Sequence, residues 1–399
     1  MKQPKLISPA NRTLDVQEYY FAGKLKQIDE MRKQGIPVIN LGIGSPDQPP
    51  AARVTEILSE ASARHDFHGY QSYTGIPALR KAFADWYLEH FRVELNPDSE
   101  ILPLMGSKEG IMHISMAFVN EGDEVLIPNP GYPAYESVTR MIGGKVRFYD
   151  LVEEKGWLPD LEALEAAGLE KVRLMWVNYP HMPSGTKASI EFFRKLVEFG
   201  KKNHILICND NPYSFILNDD TLSLLSIEGS SDVCLELNSL SKSHNMAGWR
   251  IGMVAGNSVY IKSVLKMKSN MDSGMFRPLQ EAAVEALKSG PEWYERLNET
   301  YRRRRELAEQ LMEVLDCSFD KRQSGLFLWG RIPERYDHSG EFTDQILDST
   351  HVFITPGFIF GSNGSRFIRI SLCSDEATLK ESIRRVEERF TAKTLHQTA

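Results

Sequence analysis

Between about residues 100 and 256 the chain alternates short apolar runs with amphipathic stretches. The runs EILPLMG, DEVLIPNP, KVRFYDL, VRLMWVNYP, ILICND, CLELNSL and IGMVAG are rich in branched and aromatic residues and too short for stable helices, so each reads as a strand. Between them, SKEGIMHISMAFVN from Ser107 and SIEFFRKLVEFGKK from Ser189 repeat apolar residues at helical spacing, and each opens with a serine suited to capping. Strands that alternate with helices predict an α/β fold with a mainly parallel seven-stranded sheet between helices. Ligands of such sheets collect at the carboxyl ends of the strands.

The pattern changes at PEWYERLNETYRRRRELAEQLMEVL, from Pro291, which predicts a long charged amphipathic helix. FLWGRI, HVFITPG and RFIRISLC then read as strands and TLKESIRRVEERF as a helix, which predicts a smaller α+β domain. The first fifty residues are expected to join it, so the division is 51–290 for the large domain and 1–50 with 291–399 for the small one. The final TAKTLHQTA reads as a frayed tail.

A chain of 399 residues, 42 % hydrophobic and 25 % charged, buries a large core. A net charge of −7 gives no electrostatic footprint for nucleic acid or an anionic membrane. The opening MKQPKLISPANRT lacks the apolar run of a signal peptide, and no segment approaches the roughly 18 apolar residues of a membrane span. The four cysteines, Cys208, Cys234, Cys317 and Cys373, lie far apart with no histidine at metal-ligand spacing, so they read as reduced thiols of a cytoplasmic protein without a metal site.

The candidate chemical residues fall mostly just after the apolar runs. SLSKSHNMAGWRIG places Ser239, Lys242 and Arg250 behind the run CLEL, although a serine-rich loop with one lysine is by itself an ordinary solvated turn. CNDNPYSF places Asp210 and Tyr213 behind ILIC, where an aspartate commonly caps a helix. MGSKEG opens a helix at Ser107 and Lys108: this is either plain helix initiation or backbone N–H groups presented to an anion at the positive helix end. Tyr132 follows the Pro-Gly turn of IPNPGYPAY, a position where an aromatic usually serves packing. In GSNGSRFIRISLC, Arg369 interrupts an apolar strand, and a charge there either points to water or meets an anion.

Taken in order from about residue 38 to 372, these segments resemble the class I and II aminotransferases of pyridoxal phosphate (PLP) fold type I, the aspartate aminotransferase superfamily. The match includes SxSK followed eight residues later by arginine, the turn INLGIGSPDQPP and the segment YQSYTGIPALRKAF. The resemblance implies a PLP-dependent aminotransferase that moves an amino group from an L-amino acid to a 2-oxo acid by a ping-pong mechanism, with Lys242 bound to pyridoxal 5′-phosphate as an aldimine and acting as base. It implies that Asp210 pairs with the protonated pyridine nitrogen, Tyr213 donates to the ring oxygen and Tyr132 stacks on the ring. Ser107, Lys108, Ser239 and Arg250 would hold the phosphate, and Tyr70 would reach the phosphate of the neighbouring subunit in a homodimer with shared active sites. Gly44 and Arg369 would bind substrate, and Arg366 would lie on the surface. In place of the usual NNPTG the chain has HMPSG, so Met182 stands where an asparagine would contact the ring oxygen and the substrate carboxylate, with Asn178, His181 or water as substitute donors. A β-lyase or decarboxylase on the same fold and a PLP-binding regulator without turnover are the rival readings. Parts of the chain, NMDSGMFRPLQ among them, are similar to the LL-diaminopimelate branch and others to the aspartate branch, and the sequence leaves the amino donor open.

Overall fold

In a computed structural model, residues 7–13 and 20–391 are described. The tail expected at TAKTLHQTA lies outside the described residues except for Thr391. Seven strands form the large sheet: β1 (Ile101–Leu104), β2 (Glu124–Asn129), β3 (Lys145–Asp150), β4 (Val172–Val177), β5 (Leu206–Asp210), β6 (Cys234–Ser239) and β7 (Gly252–Gly256). Their order across the sheet is β1-β7-β6-β5-β4-β2-β3. All neighbours are parallel except β7, which runs antiparallel to both β1 and β6. Every residue of β1, β5, β6 and β7 is buried, as continuous apolar runs under helices on both faces require. The edge strand β3 instead exposes Lys145 and Asp150, and such charged ends discourage further strand pairing.

This topology decides where the chemistry falls. The carboxyl ends of β1, β2, β4, β5 and β6 share one edge of the sheet, and because β7 is reversed, the residues before it arrive at that same edge. Gly106 and Ser107 follow β1, Tyr132 follows β2, Asn178 follows β4, Asp210 ends β5, Ser239 ends β6 and Arg250 precedes β7. Beneath this edge, Glu236 of β6 is fully buried. It accepts from Tyr87 Oη at 3.0 Å, Ser223 Oγ at 2.7 Å, Asn209 Nδ2 at 2.9 Å and the Leu224 N–H at 2.9 Å. Four donors satisfy a carboxylate that burial would otherwise make costly, and they tie β5 to β6 just below Asp210.

A second sheet of four strands has the order β10-β11-β9-β8, with β8 (Ser318–Phe319), β9 (Phe327–Arg331), β10 (Thr355–Pro356) and β11 (Phe367–Ser371). It packs with the 24-residue helix Pro291–Val314 and the helix Glu376–Val386. Ile39–Asn40 pairs in parallel with Val352–Phe353, which brings the N-terminal segment to this C-terminal part. Ser189 caps the helix Ile190–Asn203 by accepting from the Phe192 N–H, as its position predicts. Ser107 does not cap: Gly106 holds the cap position with φ +84°, and Ser107 is the first helical residue of Ser107–Phe118. The difference is steric, because a Cβ on residue 106 would lie 2.1 Å from Arg250 Nη2. Only glycine lets the guanidinium rest on the helix start.

Candidate active site

One cavity of about 380 Å³ opens at the shared strand edge. Gly44, Ser107, Lys108, Tyr132, Met182, Asp210, Tyr213, Ser239, Lys242, Arg250 and Arg369 all line it. Tyr70 does not: its side chain is 93 % exposed, away from the cavity of its own chain. Arg366 is half-buried and also outside, donating to the carbonyls of Ile332 and Pro333 at 3.3 Å each. Arg366 keeps a partly exposed place at the surface, where it pairs with Glu334 at 3.4 Å and also holds a turn.

At the centre, Asp210 is buried. Tyr135 Oη donates to its Oδ2 at 3.1 Å, while Oδ1 has no hydrogen-bond partner among the described residues. Burial raises the Asp210 carboxyl from its usual 3.8 to about 7, against the lowering effect of the Tyr135 bond, and nearby Glu236 adds to the rise. Tyr135 is itself fixed by stacking on Trp176 of β4, with ring centroids 5.0 Å apart and planes 5° from parallel. Sequence reading passes over Tyr135 because a tyrosine on a helix reads as core; its only signal is its place three residues after Tyr132.

Lys242 follows β6 on the single turn Leu240–Ser243, whose start Ser239 caps by accepting from the Ser241 N–H at 3.1 Å. Its Nζ donates to the Gly44 carbonyl. Burial lowers the Lys242 pKa, Cys373 opposes the change, and Arg369 and Arg250 reinforce it. The neutral amine, which is the nucleophilic and basic form, is thereby favoured. Burial likewise raises Tyr213 above the usual phenol value, so it stays a protonated donor.

At one end of the cavity Ser239 Oγ, Ser241 Oγ, the Arg250 guanidinium and the start of the helix Ser107–Phe118 converge. Ser239 Oγ and Ser241 Oγ are 2.7 Å apart, and Arg250 Nη1 lies 3.4 Å from Ser241 Oγ. Two hydroxyls, a cation and a positive helix end form a cradle for a dianion. At the other end Arg369 is buried mid-strand in β11, with Nη2 2.9 Å from the Gly42 carbonyl and Nη1 3.2 Å from Met182 Sδ. Its guanidinium carbon lies 3.8 Å from the centre of the Phe327 ring and 4.6 Å from that of Phe360.

Of the substitute donors around Met182, Asn178 lines the cavity, and its Oδ1 accepts from the Met182 N–H at 2.8 Å while Nδ2 donates to the Asp210 carbonyl. His181 does not line it: Nδ1 is 2.7 Å from Ser184 Oγ, and burial lowers its pKa to about 3, so the ring is neutral.

These residues fit pyridoxal phosphate. An unsatisfied buried carboxylate oxygen suits a ring N–H, the cradle suits a phosphate, and Lys242, with a depressed pKa, lines the same cavity. A sequence model of the family described as aminotransferase class I and II matches residues 36–386. An LL-diaminopimelate aminotransferase of Nitratidesulfovibrio vulgaris is 38 % identical over 94 % of this chain and 98 % of its own length, and that of Oleidesulfovibrio alaskensis is 40 % identical over the same shares. The solved structure of substrate-bound BacF from Bacillus subtilis superposes with a TM-score of 0.92 at 35 % identity, covering 96 % of this chain and 98 % of that one. A Thermus thermophilus aspartate aminotransferase mutant, at 23 % identity and a TM-score of 0.89, shares the fold over 96 % of this chain and all of that one.

The raised pKa of Asp210 makes a prediction for the cofactor-free protein. A carboxyl whose folded pKa exceeds its unfolded value contributes stability below the unfolded pKa, and this is lost as pH rises through the folded one, here between 3.8 and about 7. Asp210→Asn keeps an acceptor for Tyr135 but does not ionise. Relative to the wild type, the variant should gain about 2–4 kcal/mol in urea unfolding as pH rises across that window. A stability difference that does not change with pH would show that Asp210 is not held neutral by burial.

Proposed function

The chain belongs to the class I and II aminotransferases and is a PLP-dependent enzyme that transfers an amino group between amino acids and 2-oxo acids, and on that premise we propose roles for its residues. The relatives support transfer, not the lyase, decarboxylase or regulator readings. Bound pyridoxal phosphate supplies an electron sink for negative charge at the substrate Cα.

Lys242 would hold the cofactor through Nζ and, as an amine whose pKa burial lowers, would take the Cα proton as general base. Asp210 Oδ1 keeps a proton on the ring nitrogen, and Tyr213 donates to the ring oxygen. Tyr132 packs on the ring face. Ser107, Lys108, Ser239 and Arg250 bind the phosphate, with Ser241 added from the structure. Arg369 receives the α-carboxylate, supported by the backbone at Gly44, and Met182 packs beside it. The observation that carries this assignment is the buried Asp210 Oδ1, without a partner among the described residues, in a residue that shares a cavity with Lys242.

We further propose a homodimer in which the exposed Tyr70 completes the partner's phosphate site. We also propose 51–290 as the large domain and 1–50 with 291–399 as the small one, a division that the pairing of Ile39–Asn40 with Val352–Phe353 supports, while Asn11–Thr13 packs on the large-domain helix Ala134–Met141 instead. Among the described residues no helix is long and apolar enough to cross a membrane. A cytoplasmic location is consistent with four free, buried cysteines. The names of the relatives offer LL-diaminopimelate as one candidate donor.

Borohydride reduction of the holoenzyme followed by peptide mapping should place the pyridoxyl group on Lys242, and a label on any other lysine would overturn the assignment. Mixing inactive Lys242→Ala chains with inactive Tyr70→Ala chains should restore activity, because one site of each hybrid dimer has both residues. If subunits exchange and the hybrids stay inactive, Tyr70 does not act across the interface.

A further inference from the structure

Once the proposed roles are assigned, the walls of the cavity have no charge to spare. Of the cations lining it, Lys108 and Arg250 serve the phosphate, Lys242 the cofactor carbon and Arg369 the α-carboxylate; the lining anion, Asp210, serves the ring nitrogen. In the wall that remains, Leu25, Ile43, Met182, Phe327 and Phe360 form an apolar stretch, with Asn178 as the polar side chain beside Met182. The place of Ile43 is set by its neighbours. A Cβ on Gly42 would lie 2.5 Å from the Phe353 ring, and one on Gly44 would lie 2.3 Å from the Phe327 ring. Both glycines lie close against rings of the C-terminal part, and Ile43 between them lines the cavity. Ser371 Oγ donates to the Ile43 carbonyl at 2.8 Å and holds that place. Ile43 is nonetheless 43 % exposed, an apolar surface at the cavity that the described residues leave uncovered.

We propose that this wall is the subsite for the donor's side chain and that the enzyme takes amino acids with a bulky apolar side chain, of the phenylalanine or leucine type. The inference rests on the site roles proposed above. With the carboxylate on Arg369, between the rings of Phe327 and Phe360, an apolar side chain covers Ile43 and Leu25 and gains from leaving water. A second carboxylate or ammonium placed there finds no counter-charge among the described lining residues and loses its hydration.

Two measurements on the holoenzyme test this. Calorimetric titration should show 3-phenylpropionate, which lacks an amine, binding about 10- to 100-fold more tightly than succinate. In donor assays, phenylalanine and leucine should exceed aspartate, glutamate and LL-diaminopimelate in kcat/KM by a similar factor. Ile43→Ala should shrink the phenylalanine-to-alanine ratio of kcat/KM about tenfold, and Ile43→Leu should retain it. Tighter binding of succinate, faster transfer from a charged donor, or an unchanged ratio in Ile43→Ala would each overturn the proposal; the first two would mean that a charge from a second copy of the chain reaches the subsite. Preference for 3-phenylpropionate without transfer from any donor would support the apolar subsite and count against the residue roles it was built on.

Discussion

The carboxylate of Asp210 sets the terms for the rest of the site. It lies at the carboxyl end of a central parallel strand, buried, with one oxygen bonded to Tyr135 and the other without a partner among the described residues. Removing a carboxylate from water is expensive unless a partner repays it, and the folded chain supplies half of what is needed. Behind it, Glu236 shows the contrast. That carboxylate is equally buried but accepts four hydrogen bonds and serves the framework alone. One buried acid is complete within the fold; the other awaits a cation from a ligand.

The same division runs along the cavity. Arg369 is held by the Gly42 carbonyl and two aromatic rings, and Arg250 by the Ala247 carbonyl at 2.9 Å while its guanidinium covers Gly106. Each cation is oriented in part by carbonyls or rings, and each gives the cavity wall a positive group that attracts anions. Lys242 has a depressed pKa chiefly through burial. Positive groups, an amine with a depressed pKa and an unsatisfied acid in one enclosure provide for a phosphorylated aromatic cofactor and an amino acid. The turn that contributes Gly44 is anchored from outside: Asp47 receives Arg304 of the long helix through contacts of 2.7 and 2.8 Å.

Much of this was legible in the sequence because parallel strands advertise themselves. All seven runs read as strands are strands, and the residues that follow six of them, with those that precede the reversed β7, reach one edge because the topology leaves them no other place. Arg250 depended on the reversal of β7, which no periodicity reveals; its spacing from Lys242 in a family motif supplied the expectation. Residues that act through distant contacts were not legible. Tyr135 looks like helix core, and Leu25, Ile43, Phe327 and Phe360 are brought to one wall from opposite ends of the chain. Ser107 looked like a cap because serine caps helices, but the guanidinium of Arg250 requires glycine at the preceding position. Tyr70 is exposed outside the cavity of its own chain, where the role we propose for it calls for a second copy.

The central claim is that Asp210 keeps a proton on the cofactor's ring nitrogen, and nitrogen-15 NMR of the enzyme loaded with ring-labelled pyridoxal phosphate tests it directly. The account predicts a protonated ring nitrogen throughout the neutral range in the wild type, and loss of that proton within the range in Asp210→Asn. The same chemical shift and titration in both proteins would contradict it.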